Sequence, residues 1–374
     1  MRALGMPVVE ESATGVVTEG MFEDAVSLNL HLRTAQRVYF LVGEFAAYDP
    51  QAVYGGVAAV AWEDFLHADG YFSVTSRADP GMVSDSRYVN LKAKDAVADR
   101  MRQSCGRRPD SGPERDRAVI HILWKEGVCS VYLDTTGESL SKRGYRQIPV
   151  KAPMQEALAA ALLLASGWKG AGTLVNPMCG SGTIAIEAAL MARNIAPGLL
   201  RENFAFMHLK VFDPSAWKEL REAAGRRVRK NGSGKIIATD RDSRAVDAAR
   251  QNARFARVDD AIVFGVCEFQ ETPVPRGGGI VIMNPEYGER MGEVQVLEKT
   301  YEAIGDFFKK NCQGYRGYIF TGNPGLAKKV GLRTKRRLQF FNGPIECRLL
   351  EYELYEGTRK NITADKGEGD DSTP

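Results

Sequence analysis

The hydrophobic pattern of the first part of the chain, to about residue 148, alternates short β-type segments with helical ones. Glu126-Gly127 separates two apolar runs and predicts a hairpin turn there. Together these segments predict an α+β module over residues 1–148. The predicted strands are residues 37–45, 70–76, 118–124 and 128–134, and the predicted helices are residues 50–60 and 90–103.

From residue 154 the pattern changes to apolar strands that alternate with helices. An Ala- and Leu-rich helix is predicted over residues 154–166. Strands in such an alternation are parallel, and ligands bind at their carboxyl ends, so an α/β domain is predicted over residues 149–357. The predicted strands are residues 172–175, 234–240, 262–266, 279–283, 317–321 and 348–355.

The joint between the two parts is predicted near Lys142 to Arg146, with Pro149 and Pro153 following. Residues 358–374 contain few large apolar side chains, and we expect a disordered tail there.

Composition narrows the class of protein only moderately. The 374 residues carry 50 Lys and Arg against 47 Asp and Glu, a net charge of +3 that identifies no nucleic-acid partner by itself. The six cysteines form no Cys-x-x-Cys pair, so no zinc site or disulfide framework is predicted. With no apolar run of membrane-spanning length, we expect a soluble, cytoplasmic protein, with a monomer as the default.

A glycine-rich turn follows the apolar run at 172–175 and opens a helical pattern. In nucleotide-binding sheets, such a turn lets backbone amides approach a ligand closely. Gly-x-Gly alone often marks only a tight turn, so the motif is weak in isolation. Cys179 has no His near it in the sequence and is not expected to be a nucleophile. The segment reads Val175-Asn176-Pro177-Met178-Cys179-Gly180-Ser181-Gly182-Thr183.

A second motif, Asn284-Pro285-Glu286-Tyr287, follows the apolar run 279–283. The amine of a nucleobase is a poor nucleophile because its lone pair is delocalised into the ring. The Asn284 side-chain oxygen and the Pro285 carbonyl are each able to accept one N–H bond and localise that pair, and the Tyr287 ring offers a stacking face. The alternative is a strand-ending turn, for which Asn-Pro is common.

Residues from about 15 to 355 closely resemble bacterial THUMP-domain guanine-N2 methyltransferases that act on large-subunit (23S) ribosomal RNA. The resemblance rests on the two motifs above and on segments in the same order as in that family. These segments are Asn29-Leu30-His31-Leu32-Arg33-Thr34-Ala35-Gln36-Arg37-Val38, Trp62-Glu63-Asp64, Leu91-Lys92-Ala93-Lys94-Asp95-Ala96, Tyr132 to Arg146, and Phe341-Asn342-Gly343-Pro344-Ile345-Glu346.

The resemblance implies a THUMP module that captures RNA, followed by a Rossmann-like domain with a mostly parallel seven-stranded sheet. It also implies transfer of one methyl group from S-adenosylmethionine (AdoMet), which becomes S-adenosylhomocysteine (SAH), to the N2 amine of a guanosine, without a metal. Asn284, Pro285 and Tyr287 would be catalytic. The residues expected around the cofactor are Asn176, Pro177, Cys179, Gly180, Gly182, Thr183, Asp240, Glu268, Phe269 and Asn284.

The roles of individual residues in cofactor binding have alternative interpretations. Asp240 ends its strand where a carboxylate is able to bind both ribose hydroxyls, but it could instead cap the next helix. Glu268 is expected at the adenine amine, with Phe269 against the adenine ring.

Three departures from the family pattern stand out. Its usual first strand and helix, before Leu4-Gly5, are not in this sequence. Asn176 stands where the family usually has Asp, and Glu286 where it usually has a second Pro. The hydrogen-bond acceptors and the aromatic ring are retained, so activity is expected.

Clustered basic residues within the family-like segments are the predicted phosphate contacts. They are Lys142, Arg143, Arg146, Arg333, Lys335 and Arg336. Most charge runs are only solvated faces, and a steep salt dependence of RNA affinity would distinguish the two cases.

Three other functions remain open. The same chemistry could act on transfer RNA, because THUMP modules also serve transfer-RNA enzymes. A DNA adenine-N6 methyltransferase shares the logic of the second motif but leaves the first 140 or so residues unexplained. Asn176, Glu286 and the short start also fit a non-catalytic factor for RNA binding or ribosome assembly.

Overall fold

A computed structural model describes residues 1–81, 83, 85–148, 154–230, 232, 234–287 and 291–355. By their contacts the chain divides into two compact units. The first comprises Met1–Arg143 and Ala196–Arg227, and the second comprises Gly144–Ile195 and Val228–Pro374. The part of the predicted joint at 149–153 and the predicted tail at 358–374 lie outside the described residues.

The first unit is built on a five-stranded sheet with the order β3-β7-β6-β4-β5. Strand β4 pairs in parallel with β5 and β6, whereas β7 pairs antiparallel with β3 and β6. The elements of this unit are β1 (Glu10–Glu11), β2 (Val16–Val17), α1 (Phe22–His31), β3 (Tyr39–Ala46), α2 (Pro50–Ala59), α3 (Trp62–Phe65), β4 (Tyr71–Ala78), α4 (Ser86–Cys105), β5 (Asp110–Ser111), β6 (Ala118–Lys125), β7 (Val128–Asp134) and α7 (Pro214–Arg226).

The predicted hairpin between β6 and β7 is confirmed. Its two turn residues, Glu126 (φ 53°) and Gly127 (φ 79°), both have the positive φ that two-residue hairpins favour. Side chains of β6 alternate, so Ile120, Ile122 and Trp124 are fully buried in the core of this unit. The α+β character of the module therefore follows from the pattern of its strands.

Residues 196–227 pack with the first unit, although residues 144–195, which precede them in the chain, belong to the second. Phe204 stacks on Phe206 with centroids 5.0 Å apart, and the Phe206 ring lies edge-on to Trp217 at 5.1 Å. The buried Arg201 guanidinium lies 4.5 Å from the Phe204 ring and donates to the Ser139 carbonyl at 3.0 Å. Burial lowers the pKa of Arg201 to about 10.

The second unit is an α/β domain whose seven-stranded sheet has the order β10-β9-β8-β11-β12-β14-β13. The first five strands are parallel, β14 runs antiparallel to β12, and β13 runs antiparallel to β14, so the sheet is mostly parallel as predicted. Its elements are α5 (Glu156–Ala165), β8 (Gly172–Pro177), α6 (Thr183–Ala192), β9 (Gly234–Asp240), α8 (Ser243–Phe255), β10 (Ile262–Val266), β11 (Gly279–Met283), α9 (Met291–Asn311), β12 (Tyr315–Thr321), α10 (Pro324–Lys329), β13 (Arg336–Asn342) and β14 (Ile345–Glu353).

Helix caps mark where the strands of this sheet give way to helices. Asp242 accepts the Arg244 amide at 2.9 Å at the start of α8, and Asn323 accepts the Leu326 amide at 3.1 Å at the start of α10. Both turns lie at the carboxyl ends of parallel strands, the edge at which α/β sheets bind ligands.

Candidate active site

The turn after β8 has the backbone that the glycine motif predicts. Met178, Gly180 and Gly182 have φ values of 56°, 53° and 81°, in the left-handed region. A Cβ at Gly182 would lie 2.8 Å from the Ala249 Cβ, so glycine allows this turn to pack on α8. A Cβ at Gly180 would meet nothing within 4 Å, so the backbone at Gly180 faces open space. That space allows a ligand to approach the backbone closely.

Asp240 ties the end of β9 to this turn. One of its carboxylate oxygens accepts the Gly180 amide at 2.9 Å, and the other accepts the Asp242 amide at 3.0 Å. Asp242, rather than Asp240, caps α8. Because each carboxylate oxygen has a second lone pair, the carboxylate retains acceptor capacity for ribose hydroxyls.

Asn176 joins two neighbouring strands at the same edge. It is 1% exposed, and its Nδ2 donates to the Ile282 carbonyl of β11 at 2.9 Å. An Asp, which the related family usually has here, lacks this donor when ionised. The Asn176 Oδ1 is buried and has no hydrogen-bond partner among the described residues.

The second motif begins directly after β11. Pro285 is buried, Glu286 is exposed and Tyr287 is half-buried. The Asn284 Oδ1 is also buried without a hydrogen-bond partner in the described part of the chain. An unsatisfied buried acceptor is costly, so a ligand donor at this point would stabilise the protein. The outward placement of Glu286 leaves the acceptors and the ring of the motif in place.

The other predicted cofactor residues differ in accessibility. Cys179 is 9% exposed, and burial raises the pKa of its thiol, which makes it an inert side chain. Thr183 begins α6 and is buried, and Pro177 ends β8 and is also buried. Glu268 is exposed, whereas Phe269 is 7% exposed and packs edge-on to a core phenylalanine, Phe307, at 6.0 Å. The Phe269 ring is therefore largely occupied by core packing.

The segment 144–148 is hydrogen-bonded to helices α6 and α8, and α8 in turn contacts the turn after β8. The sequence did not predict these contacts. Tyr145 donates its hydroxyl to the buried Glu187 Oε1 at 3.1 Å. The Asn252 side chain accepts the backbone amides of residues 147 and 148, both at 3.1 Å, and donates to the Ser181 carbonyl at 3.4 Å. Only the position of Asn252 on the apolar side of a helical pattern hinted at its burial.

Two of the predicted phosphate contacts, the buried Arg143 and the partly buried Arg146, have internal partners. The Arg146 guanidinium donates to Thr183 Oγ1 at 3.1 Å and lies 3.5 Å from the Glu156 carboxylate. Arg143 is 1% exposed and donates to the Arg33 carbonyl at 2.6 Å. These placements give both arginines internal partners and speak against their predicted phosphate contacts.

The other four predicted phosphate contacts are exposed at the surface. Three of them have acidic neighbours: Lys142 pairs with Glu138, Lys335 with Glu353, and Arg336 with Glu351. The pairs of Lys142 and Lys335 are exposed at both ends, and such pairs are weak and leave their cations able to exchange partners. Glu351 is 3% exposed, so its pair with Arg336 is half-buried. The surface cations of the predicted set are therefore Lys142, Arg333, Lys335 and Arg336.

No cluster of three or more His, Cys, Asp and Glu able to hold a metal ion occurs among the described residues. None of the helices in the described part of the chain is long and apolar enough to cross a membrane.

Comparison with protein families gives three matches along the chain. The family described as "RMKL-like, methyltransferase domain" matches residues 143–351. A ferredoxin-like domain of the RlmL type matches residues 1–39, and the THUMP domain matches residues 47–134. These matches confirm the predicted THUMP module and methyltransferase domain.

Individual relatives extend along nearly the whole chain. It is 39% identical over 367 residues to "Ribosomal RNA large subunit methyltransferase K/L" of Syntrophotalea carbinolica, covering 95% of this chain and 51% of the relative. It is 32% identical over 352 residues to "Putative RNA methyltransferase slr0064" of Synechocystis, covering 94% and 92%. The chain thus spans about half the length of the K/L relatives it matches.

A solved structure has the same fold. It is described as "SMU.472, a putative methyltransferase complexed with SAH", with a TM-score of 0.86 and 30% sequence identity, and the match covers 96% of this chain and 94% of the other. SAH, the ligand of that protein, is what AdoMet becomes after it transfers its methyl group. The open backbone at Gly180 and the buried acceptor of Asn176 fit such a group.

Proposed function

Because this chain belongs to the RMKL-like methyltransferase family, we propose that it methylates the N2 amine of a guanosine in large-subunit ribosomal RNA. The observation that carries the proposal is the buried Asn284 Oδ1, which has no partner among the described residues. Asn284 directly follows β11, the strand that pairs with β8. An exocyclic amine is a donor suited to that oxygen.

The residues of the second motif bind and orient the target base. The Asn284 Oδ1 and the Pro285 carbonyl accept the two amine N–H bonds, which directs the nitrogen lone pair out of conjugation with the ring. Tyr287 stacks on the flipped base. When bound, AdoMet supplies an electrophilic methyl group on a sulfonium. The contribution of the protein is chiefly orientation, which brings large rate gains without a nucleophile.

The turn after β8 and the end of β9 bind the cofactor. Gly180 and Gly182 shape the turn, and Asp240 holds it by accepting the Gly180 amide at 2.9 Å. We assign the Asp240 carboxylate to the ribose hydroxyls and Asn176 to the methionine end. The adenine is left to Glu268 and Phe269, of which the phenylalanine offers only the small exposed part of its ring.

The ribosomal substrate is supported by the names of the K/L relatives, and the THUMP module supports RNA in general. Transfer RNA would keep the same chemistry. We also propose a cytoplasmic monomer.

The test is methyl transfer from labelled AdoMet to unmodified ribosomal RNA, transfer RNA and DNA in parallel. We expect label in ribosomal RNA, and incorporation that is slower by a factor on the order of 10² to 10³ with the Asn284→Ala variant. Label confined to transfer RNA would reject ribosomal RNA as the substrate. Label confined to DNA would reject RNA as the substrate altogether. A protein that binds RNA without binding AdoMet in calorimetry would be a non-catalytic factor.

A further inference from the structure

The hairpin of the last two strands turns at the ligand edge of the sheet. Strand β14 runs antiparallel to β12, with Arg348 opposite Thr321, so the start of β14 lies beside the carboxyl end of β12. Asn342 and Ile345 face each other across the turn, where Gly343 has φ 61°. This hairpin turn, residues 342–345, therefore lies at the edge that carries the second motif.

Tyr287 is held by this turn at the far end of its ring. Asn342 Nδ2 donates to the Tyr287 hydroxyl at 2.9 Å, and the Cys347 Sγ lies 3.9 Å from the same hydroxyl. Burial raises the pKa of Tyr287, so the phenol stays protonated at neutral pH.

The side of the ring is confined by Gly322. A Cβ at Gly322 would lie 3.1 Å from Tyr287 Cδ2 and Cε2, and 3.0 Å from Ile345 Cγ2. The absence of a side chain at Gly322 therefore lets the ring lie close against the backbone after β12.

We propose that Asn342 is a positioning residue that orients the Tyr287 ring for stacking on the target base. The inference rests on the proposed function of Tyr287. Stacking requires only the face of an aromatic ring. The hydroxyl of Tyr287 is needed as the acceptor through which Asn342 limits rotation of the ring, and close orientation of a bound group strongly affects rate.

A purely structural role for Asn342 predicts something different. Asn is common in tight turns beside Gly, and its loss would then destabilise the hairpin without acting through Tyr287. A double-mutant cycle separates the two roles, because partners in one interaction show non-additive effects.

The experiment compares Asn342→Ala, Tyr287→Phe and the double variant, with Gln339→Ala, an exposed position on the same strand, as the control. Turnover on RNA, AdoMet affinity and the unfolding midpoint are measured for each. We expect each single substitution to lower kcat by about tenfold, the effect of roughly 1.4 kcal/mol of lost orientation. The double variant should lose no more than either single one, and AdoMet affinity should stay unchanged.

Additive losses in the double variant, or a lower unfolding midpoint with normal kcat in Asn342→Ala, would overturn the proposal. A readout independent of activity is the ¹⁹F spectrum of protein containing 3-fluorotyrosine, with the Tyr287 signal assigned from Tyr287→Phe. Asn342→Ala should shift that signal, and an unchanged signal would overturn the proposal. Absence of methyl transfer by the wild-type protein, with the shift present, would instead reject the proposed function.

Discussion

At the scale of single residues, two asparagines at the sheet edge have buried side-chain oxygens without partners among the described residues. Asn176 uses its nitrogen to join β8 to β11 through the Ile282 carbonyl. Asn284 follows β11 in the motif assigned to the target amine. In this account the same residue type therefore serves cofactor binding in one place and substrate binding in the other.

Asn284→Ala should greatly lower the rate of methyl transfer and leave AdoMet affinity nearly intact. Loss of a positioned hydrogen-bonding group in an active site lowers rates on the order of 10² to 10³. Turnover on RNA and calorimetry with AdoMet measure the two effects. The exposed neighbour Glu286→Ala is the control and should remain active. Equal loss of turnover and cofactor affinity in Asn284→Ala would give Asn284 a structural role.

Gly182→Ala should destabilise the protein more than Gly180→Ala. Both glycines have positive φ, which costs a non-glycine residue about 1–2 kcal/mol. Only at Gly182 would the added Cβ also clash, 2.8 Å from the Ala249 Cβ. Thermal unfolding of the two variants tests this, and equal losses would show that packing on α8 is unimportant.

At the scale of elements, one face of the first sheet carries an aromatic cluster. Tyr39 of β3 stacks on His121 of β6 with ring centroids 4.6 Å apart, and Thr75 Oγ1 lies 2.9 Å from His121 Nδ1. Burial, with further contributions from Arg37, Arg115 and Arg77, lowers the pKa of His121 to about 4.

The depressed pKa of His121 predicts a loss of stability between about pH 6.5 and 4. In that window the unfolded chain binds a proton that the folded histidine does not, so stability falls as pH falls. The urea midpoint should therefore decline less steeply across this window in His121→Gln than in the wild type. Parallel declines would remove His121 as a source of acid sensitivity.

At the scale of the whole molecule, the strand and helix pattern predicted both folds, because burial of alternate or helical positions is a local property of the sequence. The packing of residues 196–227 with the first unit was not predictable, since Phe204, Phe206 and Trp217 join a core whose strands are far away in sequence. Likewise, the sequence alone predicts Arg143 and Arg146 as surface charges. Only the fold shows their hydrogen bonds to partners inside the protein.

The surface cations Lys142, Arg333, Lys335 and Arg336 lead to a salt prediction. Each phosphate contact contributes about 0.7–0.9 to the slope of log affinity against log salt. Arg333→Ala should therefore reduce the slope by roughly 1, whereas the control Lys218→Ala on α7 should not. Fluorescence anisotropy with RNA over a salt series measures this, and an unchanged slope would remove Arg333 from the interface.

The most direct measurement identifies the product. The purified protein is incubated with AdoMet carrying a labelled methyl group and unmodified large-subunit ribosomal RNA, and the digested nucleosides are analysed by mass spectrometry. We expect labelled N2-methylguanosine. Label on any other nucleoside, or no label in RNA despite AdoMet binding, would contradict it.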